Sequence, residues 1–179
     1  MKKGENVRQM IIKETGNQNI QLVECDLADF DSIRNCAKSL ETASPQIKQI
    51  DLLILNAGLV TTKRSTTKQG HEMMIGTMAL GHALLIHLLL PKVAPGSRVV
   101  FVSSMAHKWG KIDLNDIELE KAKFNPMYAY ANAKLIELHF ARALAKYLRQ
   151  QGSDITVNNV HPGAGASNHV LSLFYGILY

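Results

Sequence analysis

The sequence is short of several things, and each shortage narrows what it can be. It has only two cysteines, Cys25 and Cys36, in 179 residues. That excludes a disulfide framework, and neither sits in a C-x-x-C pair suited to a metal. Reduced structural thiols in a reducing compartment are the expectation. Low-complexity tracts and internal repeats are absent too, which leaves an ordinary globular composition. The net charge is +5, yet the Lys and Arg are scattered, with Lys2-Lys3 and Lys63-Arg64 the tightest pairs. Without a basic stripe interleaved with aromatics, nucleic-acid binding is set aside. The basic N-terminus has no apolar run behind it, so no cleaved leader is expected.

What is present fits one domain with a sizeable core: 46% of residues are hydrophobic and 20% charged. The stretch from Met73 to Leu90 lacks Asp, Glu, Lys and Arg, which touches the transmembrane threshold. His82, His87, Thr77, Gly76 and Gly81 within it argue instead for a helix buried on most sides, or lying in an oligomer interface.

Along the chain, helical and strand patterns alternate. Val7, Met10 and Ile11 mark a helix over 5–15, with Gly16 as its cap. Residues 19–23 read as a strand closing on Asp26-Leu27. Asp29 caps a second helix whose Ile33, Ala37 and Leu40 share a face, with Cys36 beside them. Asp51–Leu55 is an apolar strand ending in Asn56-Ala57-Gly58. A polar loop over 61–70 leads to a helix over 72–90, and Arg98–Val102 is a second apolar strand ending in Ser103-Ser104. Pro126 opens a helix running to about Arg149. Ile155–Val160 ends in His161-Pro162-Gly163. Strands apolar on both faces, alternating with helices, indicate an α/β fold with a parallel sheet covered on each side. The carboxyl ends of such strands lie along one edge, where these folds bind ligands.

One helical pair carries definite chemistry. Tyr130 and Lys134 stand four apart, so their side chains lie on the same helix face. A free phenol ionises near pH ~10, and a cation within about 4–6 Å favours the phenolate, towards the range useful for acid–base catalysis. A Ser hydroxyl nearby could hold the substrate oxygen while Tyr130 gives or takes its proton. Y-x-x-x-K alone is weak; its convergence with the strand tips gives it weight.

Together these pieces resemble the short-chain dehydrogenase/reductase superfamily, closest to its retinol-dehydrogenase-like branch. They are Asp26-Leu27, Asn56-Ala57-Gly58, Gly81-His82, Val102-Ser103-Ser104-Met-Ala-His107, Tyr130-x-x-x-Lys134 and His161-Pro162-Gly163, in the family's order. The resemblance implies a Rossmann-like doubly wound parallel sheet, a nicotinamide cofactor (NADP, with NAD as the alternative) and hydride transfer between an alcohol and a carbonyl. It implies a hydrophobic substrate such as a retinoid, steroid or lipid aldehyde. By position, Tyr130 is the proton donor or acceptor, Lys134 contacts the nicotinamide ribose, and Ser104 bonds the substrate oxygen, with Ser103 filling the strand end. Asp26 and Leu27 fall near the adenine. Asn56, Ala57 and Gly58 line the cofactor, and Pro162, Gly163 and Ser167 pass over the nicotinamide and its phosphate side. His107 and His161 are loop or supporting residues, and no metal is expected. A homodimer through 72–90 and 127–149 is implied, in the cytoplasm or on the cytosolic face of an intracellular membrane.

Three departures from the family pattern stand out. No G-x-G-x-x-G is present, so the phosphate turn is missing, and with it the residue that would choose NAD or NADP. The resemblance begins as if the first two strands were absent, and it stops before the last strand, leaving a single partial Rossmann-type domain over 1–179 with an apolar tail at 170–179. In the strand order 3-2-1-4-5-6, two missing strands leave a gap of about 14 Å at ~4.8 Å per strand. The 19–23 strand must then move beside residues 52–55 or lose its sheet partner. Met78 stands where the family has a catalytic Asn, and a thioether is a weak acceptor, so proton relay is expected to suffer. A catalytically silent α/β binding or dimerisation module is the alternative function.

Overall fold

A computed structural model describes residues 2–42 and 47–163. Helix α1 (Lys2–Thr15) closes at Gly16, whose φ of 71° is the left-handed cap that glycine adopts without a Cβ penalty. Helix α2 (Phe30–Thr42) buries Ile33, Cys36 and Ala37. Strand β1 (Ile50–Leu55) follows. A continuous helical stretch, α3 (Met73–Lys92), comes next. It turns π-helical over Gly76–Gly81 and returns to α-helix over His82–Leu89. Strand β2 (Val93–Val102) leads through a 3-10 turn (Met105–Trp109) and a loop to helix α4 (Pro126–Gln150) and strand β3 (Thr156–Val160). Pro126 starts α4 as expected, and the Asn125 side chain caps it by accepting from the Met127 and Tyr128 amides.

The strands pair in the order β1-β2-β3, all parallel, with Leu53 opposite Val99 and Phe101 opposite Asn159. One face of this sheet is a core. Leu55, Val99 and Phe101 pack with Ile86 of α3 and with Ala141, Leu144 and Leu148 of α4. Phe101 meets Phe140 edge to face with ring centroids 6.0 Å apart. Burial of each such side chain is worth roughly 1.5–3 kcal/mol, so this face holds the two helices to the sheet. Helix α3, uncharged from Met73 to Leu90, is long and apolar enough to cross a membrane by length and composition, yet 56% of its apolar window is buried inside this chain.

Two expectations are corrected. Residues 19–23 form no strand and do not join the sheet beside residues 52–55. Strand geometry depends on a ladder of hydrogen bonds to a neighbour, and among the described strands β1 pairs with β2 alone. Leu22 lies against Gly4 of α1. Burial, and then the neighbouring Cys36, push the Cys25 thiol up to about 12, which keeps it protonated and unreactive at neutral pH. The second correction concerns the other face of the sheet. Helices were expected on both sides, but Leu52, Ile54 and Val160 stand 53%, 55% and 43% exposed. Helix α2 packs beside α3 rather than over that face. Ser167 and the apolar tail at 170–179 lie outside the described residues.

Candidate functional site

The end of β2 is the point to which the other elements are tied. Lys134, 3% exposed, donates from Nζ to the Val102 carbonyl at 2.9 Å. This bond joins α4 to the strand tip that carries the serines. Ser103 continues the ladder, its amide donating to the Val160 carbonyl at 2.8 Å. Its side chain is buried at the strand end, where its hydroxyl meets no hydrogen-bond partner among the described residues.

Ser104 caps the 3-10 turn, its Oγ accepting from the Ala106 amide at 3.2 Å. A hydroxyl has one proton to donate and two lone pairs, so this cap leaves the O–H of Ser104 unspent. His107 folds back onto the Ser104 carbonyl, a supporting role within the loop.

The loop carrying Ser104 is seated on the first turns of α4. A Cβ at Gly110 would stand 2.8 Å from the Ala131 carbonyl, closer than side chains tolerate, so glycine permits this contact. Next to it, the Lys111 amide donates to Oδ1 of buried Asn132 at 2.8 Å. Tyr130 lies on this same stretch of α4. It is half-buried and packs against the cluster of Met74, Ile75, Met78, Ala129 and Ala133.

The tip of β1 reaches the same place. A Cβ on Gly58 would lie 3.0 Å from the Met78 sulfur and 4.0 Å from Lys134 Nζ. Asn56, Ala57 and Gly58 are open to solvent at the strand end. Lys134 thus ties α4 to the tip of β2, two residues before Ser104, and stands beside Gly58 at the end of β1, with Tyr130 one helical turn earlier on α4. No hydrogen bond joins the Tyr130 hydroxyl to Ser104 or Lys134 among the described residues.

Asp26 and Leu27 are placed differently. Their loop approaches α3 so closely that a Cβ on Gly81 would stand 2.7 Å from the Leu27 carbonyl. The Lys68 amide donates to the Ala28 carbonyl at 3.0 Å, and Lys68 Nζ meets Asp29 at 2.8 Å. That ammonium holds the Asp29 carboxyl down at about 2. The loop is thus anchored one turn along α3 from Met78. Pro162 and Gly163 follow β3, both exposed, with Gly163 at φ 83°.

Met105, Trp109 and Leu114 in the loop after Ser104 and Tyr128 at the start of α4 are exposed, with Lys108, Lys111 and Asp113 exposed among them. The loop is fixed to the far wall by Glu118, whose carboxylate takes His71 Nδ1 at 2.8 Å and the Glu72 amide at 2.6 Å.

Sequence reasoning missed Glu137 and the pairing of His82 with it. Glu137 is fully buried and pairs with Lys134 at 2.9 Å, and His82 faces Glu137 at 3.1 Å. The K-x-x-E spacing on one helix face was the available signal for the first. Gly81-His82 stood out as a motif, but the role of the ring was not legible, because its partner is 55 positions away.

A nicotinamide–ribose unit fits the notch. An ammonium has three protons to donate, and Lys134 spends two of them, on Val102 and Glu137, leaving one. Ser104 keeps its own proton, and Gly58 gives the close approach. Among the described residues no glycine-rich turn precedes a helix to take the pyrophosphate.

The family model described as short chain dehydrogenase matches residues 1–174. Human retinol dehydrogenase 11 is 42% identical over 173 residues, covering 95% of this chain and 52% of that protein. Human retinol dehydrogenase 12 is 40% identical over 170 residues, with coverages of 94% and 52%. The chain thus spans about half the length of these curated relatives. Among solved structures, an uncharacterized protein from Mycobacterium Paratuberculosis has a TM-score of 0.80 at 34% identity, covering 98% of this chain and 60% of that one. The Pseudomonas aeruginosa RhlG/NADP active-site complex shares the fold with a TM-score of 0.67 at 24% identity, covering 96% and 63%.

Proposed function

The chain belongs to the short-chain dehydrogenase family, and from that premise we propose that its notch serves proton transfer during alcohol–carbonyl interconversion with a nicotinamide dinucleotide. The dinucleotide, when bound, supplies or accepts the hydride. Tyr130 gives its hydroxyl proton to the substrate oxygen in reduction and takes it back in oxidation. Ser104 donates its free O–H to that same oxygen and fixes it beside the phenol. Lys134 offers its remaining N–H to the ribose, and Asn56, Ala57, Gly58, Pro162 and Gly163 border the same ligand. Ser167 belongs to this reading as well.

A single observation supports it most: Lys134 is bonded to the carbonyl of Val102, two residues before Ser104, so acid–base pair and substrate anchor share one strand tip. Exposed Met105, Trp109, Leu114 and Tyr128 offer apolar contacts for an alcohol or aldehyde of the retinoid, steroid or lipid class. NADP is the preferred dinucleotide in this reading, and NAD the alternative. The free thiols Cys25 and Cys36 suit the cytoplasm or the cytosolic face of an intracellular membrane. A second copy would meet this one through 72–90 and 127–149.

Met78 supports a slower form of the same chemistry. It is fully buried against Gly58 and brings only a weak sulfur acceptor to the floor of the notch. A silent binding module is the competing outcome.

Titration of NADP and NAD, followed through exposed Trp109, is expected to saturate. Replacement Tyr130→Phe should leave that binding in place while turnover of an apolar aldehyde drops by about 10²–10⁴. Absence of saturable binding by either dinucleotide would overturn the oxidoreductase reading in favour of the silent module.

A further inference from the structure

Behind Lys134 lies a buried chain of polar side chains that the proposed reaction does not use. Glu137 is 0% exposed, His82 1% and Lys134 3%. Glu137 Oε2 accepts from Lys134 Nζ at 2.9 Å, and its Oε1 faces His82 Nδ1 at 3.1 Å. Both carboxylate oxygens are therefore engaged, one from α4 itself and one from α3.

The donor–acceptor balance fixes the protonation of the group. A carboxylate this deep keeps its charge only with a partner, and Lys134 is that partner. Ionised, it can only accept, so the ring nitrogen facing it must carry the proton. His82 therefore holds a hydrogen on Nδ1, directed at Glu137 Oε1. Ammonium and carboxylate together carry no net charge.

We propose that Glu137 is a positioning residue of this site, pinning the Lys134 ammonium to the tip of β2 and cancelling its charge while His82 holds the second carboxylate oxygen. Its consequence for a ligand rests on the dinucleotide reading above. An oxidised nicotinamide ring is cationic and a reduced one is neutral. A lone ammonium beside the ribose would disfavour the oxidised form; a balanced ion pair does not. Glu137 thereby sets the relative affinity for the two redox forms.

Histidine ¹⁵N NMR on the full chain tests the protonation without any ligand. Wild-type His82 should appear neutral, with its proton on Nδ1. In Glu137→Gln the amide has one oxygen, which the ammonium takes, and its NH₂ turns to the ring. The His82 proton should then move to Nε2. A doubly protonated His82 in the wild type, or an unchanged tautomer in a folded Gln variant, overturns the proposal.

Binding of NADP⁺ and NADPH reads the electrostatic consequence. Glu137→Gln should weaken NADP⁺ relative to NADPH by at least about fivefold, because the ammonium is no longer balanced. A loss caused by altered packing alone would weaken both forms equally, and that result overturns the proposal. If the Gln variant does not fold, Lys134→Met/Glu137→Leu replaces the pair by apolar groups, which buried ion pairs commonly tolerate. Both dinucleotides should then weaken together; a selective loss of NADP⁺ would sink the idea. A wild-type chain that binds neither dinucleotide overturns the oxidoreductase reading, and the His82 protonation state then decides the role of Glu137.

Discussion

Leu53 and Leu52 are neighbours in β1, yet Leu53 packs under α3 and α4 while Leu52 stands 53% exposed on the opposite face. The same contrast runs across the sheet, with Phe101 sealed in the core and Ile54 and Val160 open. Every bond that places Lys134 and seats the Ser104 loop on α4 comes from the covered side or from the strand tips. Lys134 and the Ser104 loop therefore draw their rigidity from one face of one small sheet. Among the described residues the open face contributes no bond to them.

The sharpest way to break this contrast is a pair of truncations. Phe101→Ala should cost about 3–5 kcal/mol in urea unfolding, because it removes a fully buried ring and leaves a cavity against Phe140. Leu52→Ala on the open face should change stability by roughly 0.5 kcal/mol or less. Equal losses at the two positions would show that both faces are covered in solution.

A smaller effect is expected at the seat of the Ser104 loop. Gly110→Val drives a side chain into the Ala131 carbonyl and should cost about 1–3 kcal/mol by overpacking. The Lys111 amide, now bonded to Asn132, should exchange its hydrogen faster while β2 amides keep their protection. Uniform loss of protection would mean that loop and core unfold together.

The smallest effect lies at the anchor of the Asp26–Leu27 loop. Asp29 ionises at about 2 rather than at the ordinary 3.8, chiefly through its bond to Lys68. Its folded value is depressed, so its contribution to stability is present above 3.8 and fades as pH falls towards about 2. In Lys68→Met the Asp29 carboxyl should titrate nearer the ordinary value by ¹³C NMR, and the acid-side loss from this residue should shrink. An unchanged titration would remove Lys68 as the cause.

Much of the fold was legible because its signals are local. Pro126 at the start of α4, the apolar run of β1 and the Ser103-Ser104 strand end each act within a few residues. The Tyr130–Lys134 spacing was legible for the same reason. What stayed hidden depends on partners far along the chain. Residues 19–23 have strand composition, but a strand is completed by a neighbour, and composition does not say whether one is present. Leu52 and Ile54 read as buried because apolar residues usually are. Glu137 reads as a solvent-facing charge on a helix, and only the packing of α3 against α4 turns it inward to His82.

The widened π-turn in α3 has a consequence for the whole helix. In a regular α-helix each four-residue step drifts by about 40° around the axis, so a stripe of period four soon slides off its neighbour. The i→i+5 bonding over Gly76–Gly81 slows that drift. Met74, Met78, His82 and Ile86, spaced by four, are accordingly all between 0% and 1% exposed. Losing or gaining one residue inside that turn would rotate everything after it, taking the imidazole off the carboxylate and Ile86 off the sheet in one movement. The reading frame of this helix against α4 is thus set by a single irregular coil of backbone, and tolerance to insertion or deletion there should be far lower than in the polar loop just before it.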